Sequence, residues 1–444
     1  MRTDAHGRFE RTGLTMREPG ALPALLASVA LVTTLAACTA SPASTPTPTE
    51  TSAADAAGDS CVPSPETVAT TDLPAGAMEP VDDETADRLR LAAEEGLGLT
   101  SAPGAIVAVR SPEGTWVDAF GEADLASGSP MTVDDFIRVG SITKTFTSSL
   151  VLQLVEAGDL SLDDTIDEYV EGVPNGDQIT IRMLLDMTSG IASYTLDEDV
   201  ANTYLTDPTT EWTPDQLLAA GLGIDPLFAP GAQFNYSNTN YILLGKVIED
   251  LTGESYPDVL QTQILDPLEF ADTSFPGTSE IPVPYASGIS LQGTPDDSQE
   301  PIDATDWSPT FAWTAGQIIS TIDDMLRWGR ILVTGQGILD DEKRVERLNS
   351  FPEGGGYGFG IGCLGGWVGH TGEIPGYNTT VYHDTTSDTT VVVMANSDIP
   401  SGGCSVSKTL ADNDTVVPCM APAVRIFASI TDELGHPFEP IPMQ

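Results

Sequence analysis

Nine residues in the first third of the chain decide how the rest is interpreted: Arg138-Val139-Gly140-Ser141-Ile142-Thr143-Lys144-Thr145-Phe146. A short apolar run ends at Gly140, and an apolar stretch with helical spacing follows from Phe146 to Val155. Ser141 is therefore expected in the first turn of a helix, where backbone N–H groups are free and the helix dipole is positive. Lys144 lies three residues further on and falls on the same side of that helix.

This spacing suits nucleophilic catalysis. A serine hydroxyl becomes a nucleophile when a neighbouring base accepts its proton, and a buried lysine near a positive helix end can be that base because its pKa falls. The pattern Ser-x-x-Lys is weak by itself, since Ser405-Val406-Ser407-Lys408 repeats it without a long apolar helix behind it. We interpret that second copy as a loop, and Ser141 and Lys144 as the candidate nucleophile and base.

The amino-acid composition limits the classes of fold and function that are possible. The chain has 444 residues, of which 40% are hydrophobic, enough for one large domain or two modest ones. Its net charge is −48, and residues 1–37 contribute none of the negative excess. Such a surface repels nucleic acid and anionic lipid headgroups, so no nucleic-acid partner is expected. We attribute the charge to a solubilising acidic coat rather than to a cation-binding role.

The N-terminus, residues 1–37, has the features of a signal peptide. Arg17 precedes an apolar run that is short for a bilayer span and has no basic cluster after it. The run ends in Leu35-Ala36-Ala37-Cys38, which resembles the lipobox of bacterial lipoproteins. The resemblance implies cleavage before Cys38 and acylation of its thiol, and hence a lipid anchor on the outer face of the cytoplasmic membrane. The alternative is an ordinary signal peptide with a chance cysteine.

Domain boundaries follow from composition. Residues 38–80 are predicted to form a linker, because Thr39 to Ser60 is rich in serine, threonine, proline and alanine and cannot bury a core. Residues 81–436 are predicted to fold as one domain, and residues 437–444 to form a tail.

Four cysteines remain for the folded part once Cys38 is set aside. An even number in an exported chain suggests two disulfides, with three connectivities open. Cys404 and Cys419 bracket a polar insertion, so that local pair is favoured, and Cys61 with Cys363 follows by elimination. The four histidines are scattered and no H-E-x-x-H occurs, so neither a metal site nor a cofactor is expected.

The periodicity of apolar residues predicts strands at both ends of the folded part and helices between them. One sheet, built from residues 81–140 and 315–436, would pack beside a helical region at 141–314, which is an α/β (α+β) arrangement. The predicted strands are 105–109, 115–120, 357–361, 366–369, 377–382 and 390–395. The predicted helices are 81–97, 146–155, 181–187, 215–222, 241–251, 315–333 and 421–434.

A second stretch, Phe234-Asn235-Tyr236-Ser237-Asn238, has side chains that suit a Ser–Lys site. The Tyr236 phenol can relay a proton between a nucleophile and a leaving group. Asn238 can hydrogen-bond a substrate amide or hold Lys144. Alone, the stretch would be more typical of a packed tyrosine before a helix cap.

A third stretch, Val368-Gly369-His370-Thr371-Gly372, ends an apolar run. Its glycines let a backbone edge approach a ligand closely, while His370 and Thr371 supply polar contacts. A single histidine beside glycine is usually structural, so this stretch also gains its meaning from the other two.

In this order the three stretches resemble the serine β-lactamase and D-alanyl-D-alanine carboxypeptidase superfamily, whose class C-like branch uses Ser-x-x-Lys, Tyr-x-Asn and Lys/His-Thr-Gly. The likeness covers roughly Val81 to Leu434 and includes Thr188-Ser189-Gly190 and Pro230-Gly231. The combination of Tyr-Ser-Asn with His-Thr-Gly is most similar to the carboxypeptidases. The resemblance implies an antiparallel sheet flanked by helices, beside an all-helical region.

The resemblance also implies a mechanism. Ser141 would attack a carbonyl and form an acyl-enzyme that water later releases, while Lys144 and Tyr236 would share its proton and return it to the leaving group. Backbone N–H groups of Ser141 and Glu373 would form the oxyanion hole. The residues that would hold the substrate are Asn238, His370, Thr371 and Gly372.

Two departures from the carboxypeptidase pattern concern the substrate. Those enzymes have an arginine on the strand before His-Thr-Gly that helps to bind a terminal carboxylate, but Tyr357 to Leu364 contains no basic residue. Glu373 stands where they have a small hydroxyl residue, and a carboxylate there would repel another at short range.

The leading hypothesis is a membrane-tethered D-alanyl-D-alanine carboxypeptidase acting on cell-wall peptides. An esterase, an amidase for neutral or cationic substrates, or a β-lactamase of the same fold is the first alternative. A non-catalytic penicillin-binding or sensing lipoprotein is the second.

Overall fold

One eight-stranded antiparallel sheet is the centre of the computed structural model, which describes residues 60–295 and 298–440. The strands are β1 (Gly104–Ser111), β2 (Gly114–Asp124), β3 (Ser129–Pro130), β4 (Ile137–Arg138), β5 (Ile289–Ser290), β6 (Ile302–Asp303), β7 (Ile319–Ser320), β8 (Gly356–Tyr357), β9 (Gly362–Leu364), β10 (Trp367–Ile374), β11 (Tyr377–Asp384) and β12 (Thr389–Ala395). Their order in the sheet is β3-β2-β1-β12-β11-β10-β9-β8, while β4 pairs with β7 and β5 with β6.

Helices flank the sheet and fill the middle of the chain. They are α1 (Pro65–Thr70), α2 (Asp83–Gly98), α3 (Thr143–Ala157), α4 (Ile181–Leu185), α5 (Glu198–Thr206), α6 (Pro214–Leu222), α7 (Asn238–Thr252), α8 (Tyr256–Leu260), α9 (Asp266–Leu268), α10 (Ile322–Thr334), α11 (Asp341–Leu348) and α12 (Pro422–Glu433). A π-helical segment, Gln261–Leu265, joins α8 to α9.

Successive side chains along the central strands point to opposite faces of the sheet, where they belong to two separate hydrophobic cores. Val107 and Val393 pack beneath α2 and α12. Ile106 and Val392, one residue away, belong to the larger core that includes α3, α7 and α10. Burial on both faces explains the unbroken apolar run of β12. The predicted α/β (α+β) architecture, an antiparallel sheet flanked by helices, is confirmed.

α3 runs through the larger core. Its first ten residues are all buried, and the Phe146 ring stacks on the Trp328 ring of α10 with centroids 3.9 Å apart. Gly158 ends the helix in the left-handed conformation, with φ of 78°. Because α3 is enclosed from its first turn, its N-terminus has a fixed position relative to the sheet.

Residues 61–80 pack on the folded domain, although composition assigned them to the linker. Cys61 is bonded to Cys363 of β9, and α1 buries Val68 and Ala69 against the larger core. Composition does not reveal this attachment, because a few small apolar residues and one cystine provide it rather than a periodic apolar face.

The segment predicted as a helix over 315–333 is helical only in its second part. A 3-10 turn ends at Ala315, β7 then pairs with β4, and α10 begins after Thr321. The β-branched pair Ile318 and Ile319 favours the extended conformation here. This irregular path brings the Ala315 carbonyl towards α3, which matters for the site described below.

The C-terminal boundary also differs from the prediction. Phe438, assigned to a tail, is 6% exposed, and its ring centroid lies 5.0 Å from those of Tyr382 and Phe427. Cys404 is bonded to Cys419, the favoured local pair. The predicted signal peptide, Cys38 and most of the predicted linker lie outside the described residues. Within residues 60–295 and 298–440, no helix has both the length and the hydropathy to span a membrane.

Candidate active site

A tight turn between β4 and α3 carries Ser141. Gly140 has φ of 53°, which an L side chain rarely adopts. A Cβ at Gly140 would lie 2.7 Å from the backbone nitrogen of Glu373 in β10, so a larger residue does not fit. Ser141 lies in the 3-10 turn Gly140–Ile142, immediately before α3 rather than inside its first turn. The turn therefore presents Ser141 at the N-terminal end of a buried helix.

The Lys144 side chain forms a hydrogen bond with the Ser141 hydroxyl. Its Nζ lies 3.0 Å from Ser141 Oγ and 2.7 Å from the carbonyl oxygen of Ala315. The side chain is fully buried, and within the described ranges no carboxylate forms an ion pair with it. Burial lowers the pKa of Lys144 well below its ordinary value. A neutral amine at this distance can accept the Ser141 proton.

Tyr236, in the loop before α7, lies on the other side of the lysine. Its ring centroid is 4.9 Å from Lys144 Nζ. Desolvation raises the pKa of Tyr236 above its ordinary value, and the nearby Ser141 hydroxyl offsets part of the rise. The phenol stays protonated at neutral pH, so it is poised to donate a proton while Lys144 is poised to accept one. The structure brings the three predicted side chains together.

β10 presents an open backbone edge beside the nucleophile. β9 pairs only with the first three residues of β10, and the strand then runs along the Gly140 turn. A Cβ at Gly372 would lie 1.9 Å from the carbonyl oxygen of Val139. This close approach sets the backbone of Glu373 against Gly140, the neighbour of Ser141. An oxyanion hole formed by the N–H groups of Ser141 and Glu373 requires this arrangement.

The family model described as Beta-lactamase matches residues 89–411, which is more than half of the chain and includes all three motif stretches. The chain belongs to the beta-lactamase family. The β-lactamase/transpeptidase-like fold that the motifs implied is thereby confirmed.

Relatives within and around this beta-lactamase family include several enzyme types. The chain is 29% identical to penicillin-binding protein 4 of Amycolatopsis lactamdurans, over 55% of this chain and 62% of that protein, which is less than two thirds of its length. It is similar to a D-stereospecific amidohydrolase from Streptomyces sp., with 31% identity and a TM-score of 0.64 over 70% of this chain and 94% of that one. The D-amino acid amidase from Ochrobactrum anthropi SV3, solved with L-phenylalanine, is 25% identical, with a TM-score of 0.63 over 70% and 91%.

His370 lies beneath the cleft of this beta-lactamase family member rather than on its surface. The side chain is 5% exposed. Its Nδ1 contacts the carbonyl oxygen of Thr371, which can only accept, so Nδ1 donates and Nε2 accepts from the Tyr357 hydroxyl at 3.0 Å. Burial and the charge of Lys144 lower the pKa of His370 to about 3, so it is neutral. Both ring nitrogens are occupied, which argues against the direct substrate contact predicted for this side chain.

Two other predicted substrate-binding residues, Thr371 and Asn238, are partly exposed. Thr371 is half-buried on β10, on the same face as Glu373. Asn238, the first residue of α7, is also half-buried, and its Nδ2 lies 3.5 Å from Ser193 Oγ. The sequence suggested that Asn238 either binds a substrate amide or holds Lys144. Its side chain contacts Ser193 and not Lys144, so the second role is not observed. Gly372 has no side chain, so only its backbone can contribute to substrate binding.

Glu373, whose backbone lies against the Gly140 turn, lines three cavities with volumes of about 440, 280 and 650 Å³. Its side chain is exposed to the cleft, but the cleft walls desolvate the carboxyl group, and together with Asp398 they raise the pKa of Glu373 to about 8. The protonated form of Glu373 is therefore more populated near neutral pH than that of an ordinary glutamate. This corrects the assumption of a fixed negative charge, because the protonated group repels a carboxylate little and can donate a hydrogen bond.

Sequence reasoning missed three groups around the site: the Ala315 carbonyl, Tyr357 and Ser193. Ala315 was placed inside a helix, where its carbonyl would have been occupied. Tyr357 was noted only because its stretch lacks a basic residue, and nothing local indicates its bond to His370. Among the described residues, no group of three or more histidine, cysteine, aspartate or glutamate side chains could hold a metal ion.

Proposed function

We propose that this protein is a serine hydrolase that forms an acyl-enzyme at Ser141 and cleaves the amide bond following a D-amino acid residue. The observation that carries the proposal is the 3.0 Å contact between Ser141 Oγ and Lys144 Nζ. A buried lysine without a carboxylate partner is costly for stability, and activation of a neighbouring hydroxyl is a use that explains it.

The proposed acylation needs only protein groups. Lys144 takes the Ser141 proton as Oγ bonds to the carbonyl carbon, and the N–H groups of Ser141 and Glu373 hold the resulting oxyanion. Tyr236 then donates its proton to the leaving nitrogen as the C–N bond breaks, and the protonated Lys144 restores the phenol. A water molecule repeats the sequence on the acyl-enzyme, so that the acid leaves and the Ser141 hydroxyl is regenerated.

The choice of an amide without a terminal carboxylate rests on the leaving-group side of β10. The neighbouring strands β8 and β9 and the loop between them contain no basic residue. The similarity to the Streptomyces amidohydrolase and the Ochrobactrum amidase supports the same choice.

A D-alanyl-D-alanine carboxypeptidase is the second candidate. It is favoured by the His-Thr-Gly sequence and by the raised pKa of Glu373, because a protonated carboxyl group does not exclude a carboxylate-ended peptide. Release of p-nitroaniline from D-phenylalanine p-nitroanilide, compared with release of D-alanine from an acylated Lys-D-Ala-D-Ala peptide, separates the two candidates. A non-catalytic sensor would release neither product.

Active-site labelling tests the nucleophile. A fluorescent fluorophosphonate is expected to label the protein, and Ser141→Ala is expected to abolish the label because the probe reacts with an activated serine. Ser405→Ala is the matched control, since Ser405 belongs to the second Ser-x-x-Lys sequence and is exposed in a loop. A Ser141→Ala protein labelled as strongly as the unaltered protein would refute the proposal.

We also propose that Cys38 carries a lipid that tethers the enzyme outside the cytoplasmic membrane. The lipobox-like sequence before it supports this, and the two disulfides fit an oxidising compartment. Growth with a clickable fatty acid should label the protein in its host, and Cys38→Ala should remove the label. Labelling that persists in Cys38→Ala would reject the anchor.

A further inference from the structure

We propose that the cleft contains a subsite for an ammonium group on the acyl part of the substrate, formed by the carboxyl groups of Glu373 and Asp398. The proposal rests on the function proposed above, because it takes Ser141 as the point of acylation. It narrows the substrate class to D-amino acid amides and peptides whose amino group is free.

The first observation is the shape of the cleft. The cavities of about 280 and 650 Å³ share three lining residues, namely Leu205, Gln292 and Glu373, so they adjoin each other. Asp398 lines the larger cavity. The two carboxyl groups therefore line one continuous space, which is connected to the nucleophile turn through Glu373, whose backbone lies against Gly140. This space is large enough for an amino acid side chain and its amino group.

The second observation is an incomplete hydrogen-bond set on Asp398. The residue is 5% exposed, and its Oδ2 accepts from Ser290 Oγ at 2.9 Å and from Gln292 Nε2 at 2.6 Å. Its Oδ1 has no partner within the described part of the chain, and neither has the hydroxyl of Tyr204, which lines the smaller cavity. A buried carboxylate with an unoccupied oxygen is costly, and a donor from a ligand would satisfy it.

The electrostatics agree with this geometry. Burial raises the pKa of Asp398 to about 6, and desolvation together with Asp398 raises that of Glu373 to about 8. A carboxyl group whose ionisation is hindered by burial or by a neighbouring carboxylate is stabilised in its ionised form by a cation placed beside it. The net charge of −48 also concentrates cations near the protein.

Lys408 lines the larger cavity but does not neutralise the pair. Its Nζ donates to the carbonyl oxygens of Thr294 at 2.7 Å and Pro295 at 3.2 Å. No ion pair joins Lys408 to Glu373 or Asp398 among the ranges that the structure describes. Lys408 therefore leaves the carboxyl groups of Glu373 and Asp398 without a cationic partner among the described residues.

The position of Glu373 defines where the ammonium group belongs. Its backbone N–H faces the carbonyl oxygen of the substrate in the proposed mechanism, while its side chain extends into the adjoining cavities. A group on the acyl residue, one or two bonds from that carbonyl, is therefore within reach of the Glu373 carboxyl group. A free α-amino group meets this requirement, and a leaving-group amine does not.

Protection from labelling tests the subsite without requiring turnover. D-Phenylalanine amide and 3-phenylpropanamide, which lacks only the amino group, are compared at pH 7 as competitors of fluorophosphonate labelling at Ser141. D-Phenylalanine amide should halve the labelling rate at a concentration at least about 10-fold lower than the concentration of 3-phenylpropanamide that has the same effect. A charge pair near the surface contributes a factor of this order. Asp398→Asn and Glu373→Gln should each reduce that ratio to below about 3-fold.

Glu122→Gln is the matched control, since Glu122 is exposed on β2 and lines none of the three cavities. It should leave the ratio unchanged. Equal protection by the two competitors, or a ratio that both cleft variants leave intact, overturns the subsite while the proposed nucleophile stands. Absence of any label on Ser141 instead refutes the proposed function itself. Testing two cleft variants keeps the result decisive if one of them unfolds.

Discussion

Replacement of Lys144 by methionine is expected to lower kcat/KM by about 10²–10⁴-fold, the usual contribution of a general base. Methionine fills the same buried space but cannot accept the Ser141 proton across the observed 3.0 Å. The rate of p-nitroanilide hydrolysis measures the loss. Lys246→Met on α7 is the control, because Lys246 makes ion pairs of 3.4 Å with Glu249 and 3.7 Å with Asp215, away from the nucleophile.

The same lysine predicts the pH dependence. Acylation should accelerate as the pH rises, because Lys144 must lose its proton before it can act as the base. Burial lowers its pKa well below 10.5, so the rise should be complete well before a solvent-exposed lysine would titrate. Lys144→Met should remove this rise. A profile that increases only near pH 10.5, or that keeps its rise in Lys144→Met, would contradict the assignment.

Gly372→Ala is expected to slow acylation by about 10²–10³-fold, which is the effect of losing one oxyanion-hole donor. The added Cβ would stand 1.9 Å from the Val139 carbonyl oxygen, so β10 must move away from the nucleophile turn and take the Glu373 N–H with it. The overpacking should also lower the free energy of unfolding by about 1–3 kcal/mol. Stopped-flow acylation and thermal unfolding measure the two effects.

Gly98→Ala provides the comparison for this variant. A Cβ at Gly98 would have no neighbour within 4 Å, and the residue ends α2 without a left-handed conformation. It should leave both the rate and the stability close to those of the unaltered protein. If Gly372→Ala behaved in the same way, the close contact between β10 and the Val139–Gly140 turn would be wrong.

The nucleophile turn was predictable because its determinants are contiguous. The glycine, Ser141, Lys144 and the apolar helix behind them occupy one short stretch, so their relative positions follow from helix geometry. The long strands β1, β2, β10, β11 and β12 were predictable in outline for a similar reason, since each contains an apolar run near turn residues. The predicted strand 357–361 was wrong beyond Tyr357, where β8 ends, and the short strands β3 and β9 were not predicted. Tyr236 needed the resemblance to a known family, because nothing local brings it towards Lys144.

The groups that could not be predicted depend on contacts between distant parts of the chain. Residues 61–80 are attached by a cystine to β9 and by small side chains, neither of which leaves a periodic pattern. His370 could not be assigned to either side of its strand until its bond to Tyr357 was seen. The raised pKa of Glu373 depends first on desolvation and then on Asp398, and both are properties of the fold.

β1 lies between β2 and β12 in the sheet, and this order has a consequence for when activity can begin. A nascent chain that ends after the nucleophile turn still lacks β10 to β12. One side of β1 then has no partner, and the proposed oxyanion hole has only one of its two donors. Ribosome-bound fragments ending before β10 should therefore be unreactive towards acylating inhibitors. We therefore expect activity only after synthesis has passed β12, and not when the Ser141 turn is complete.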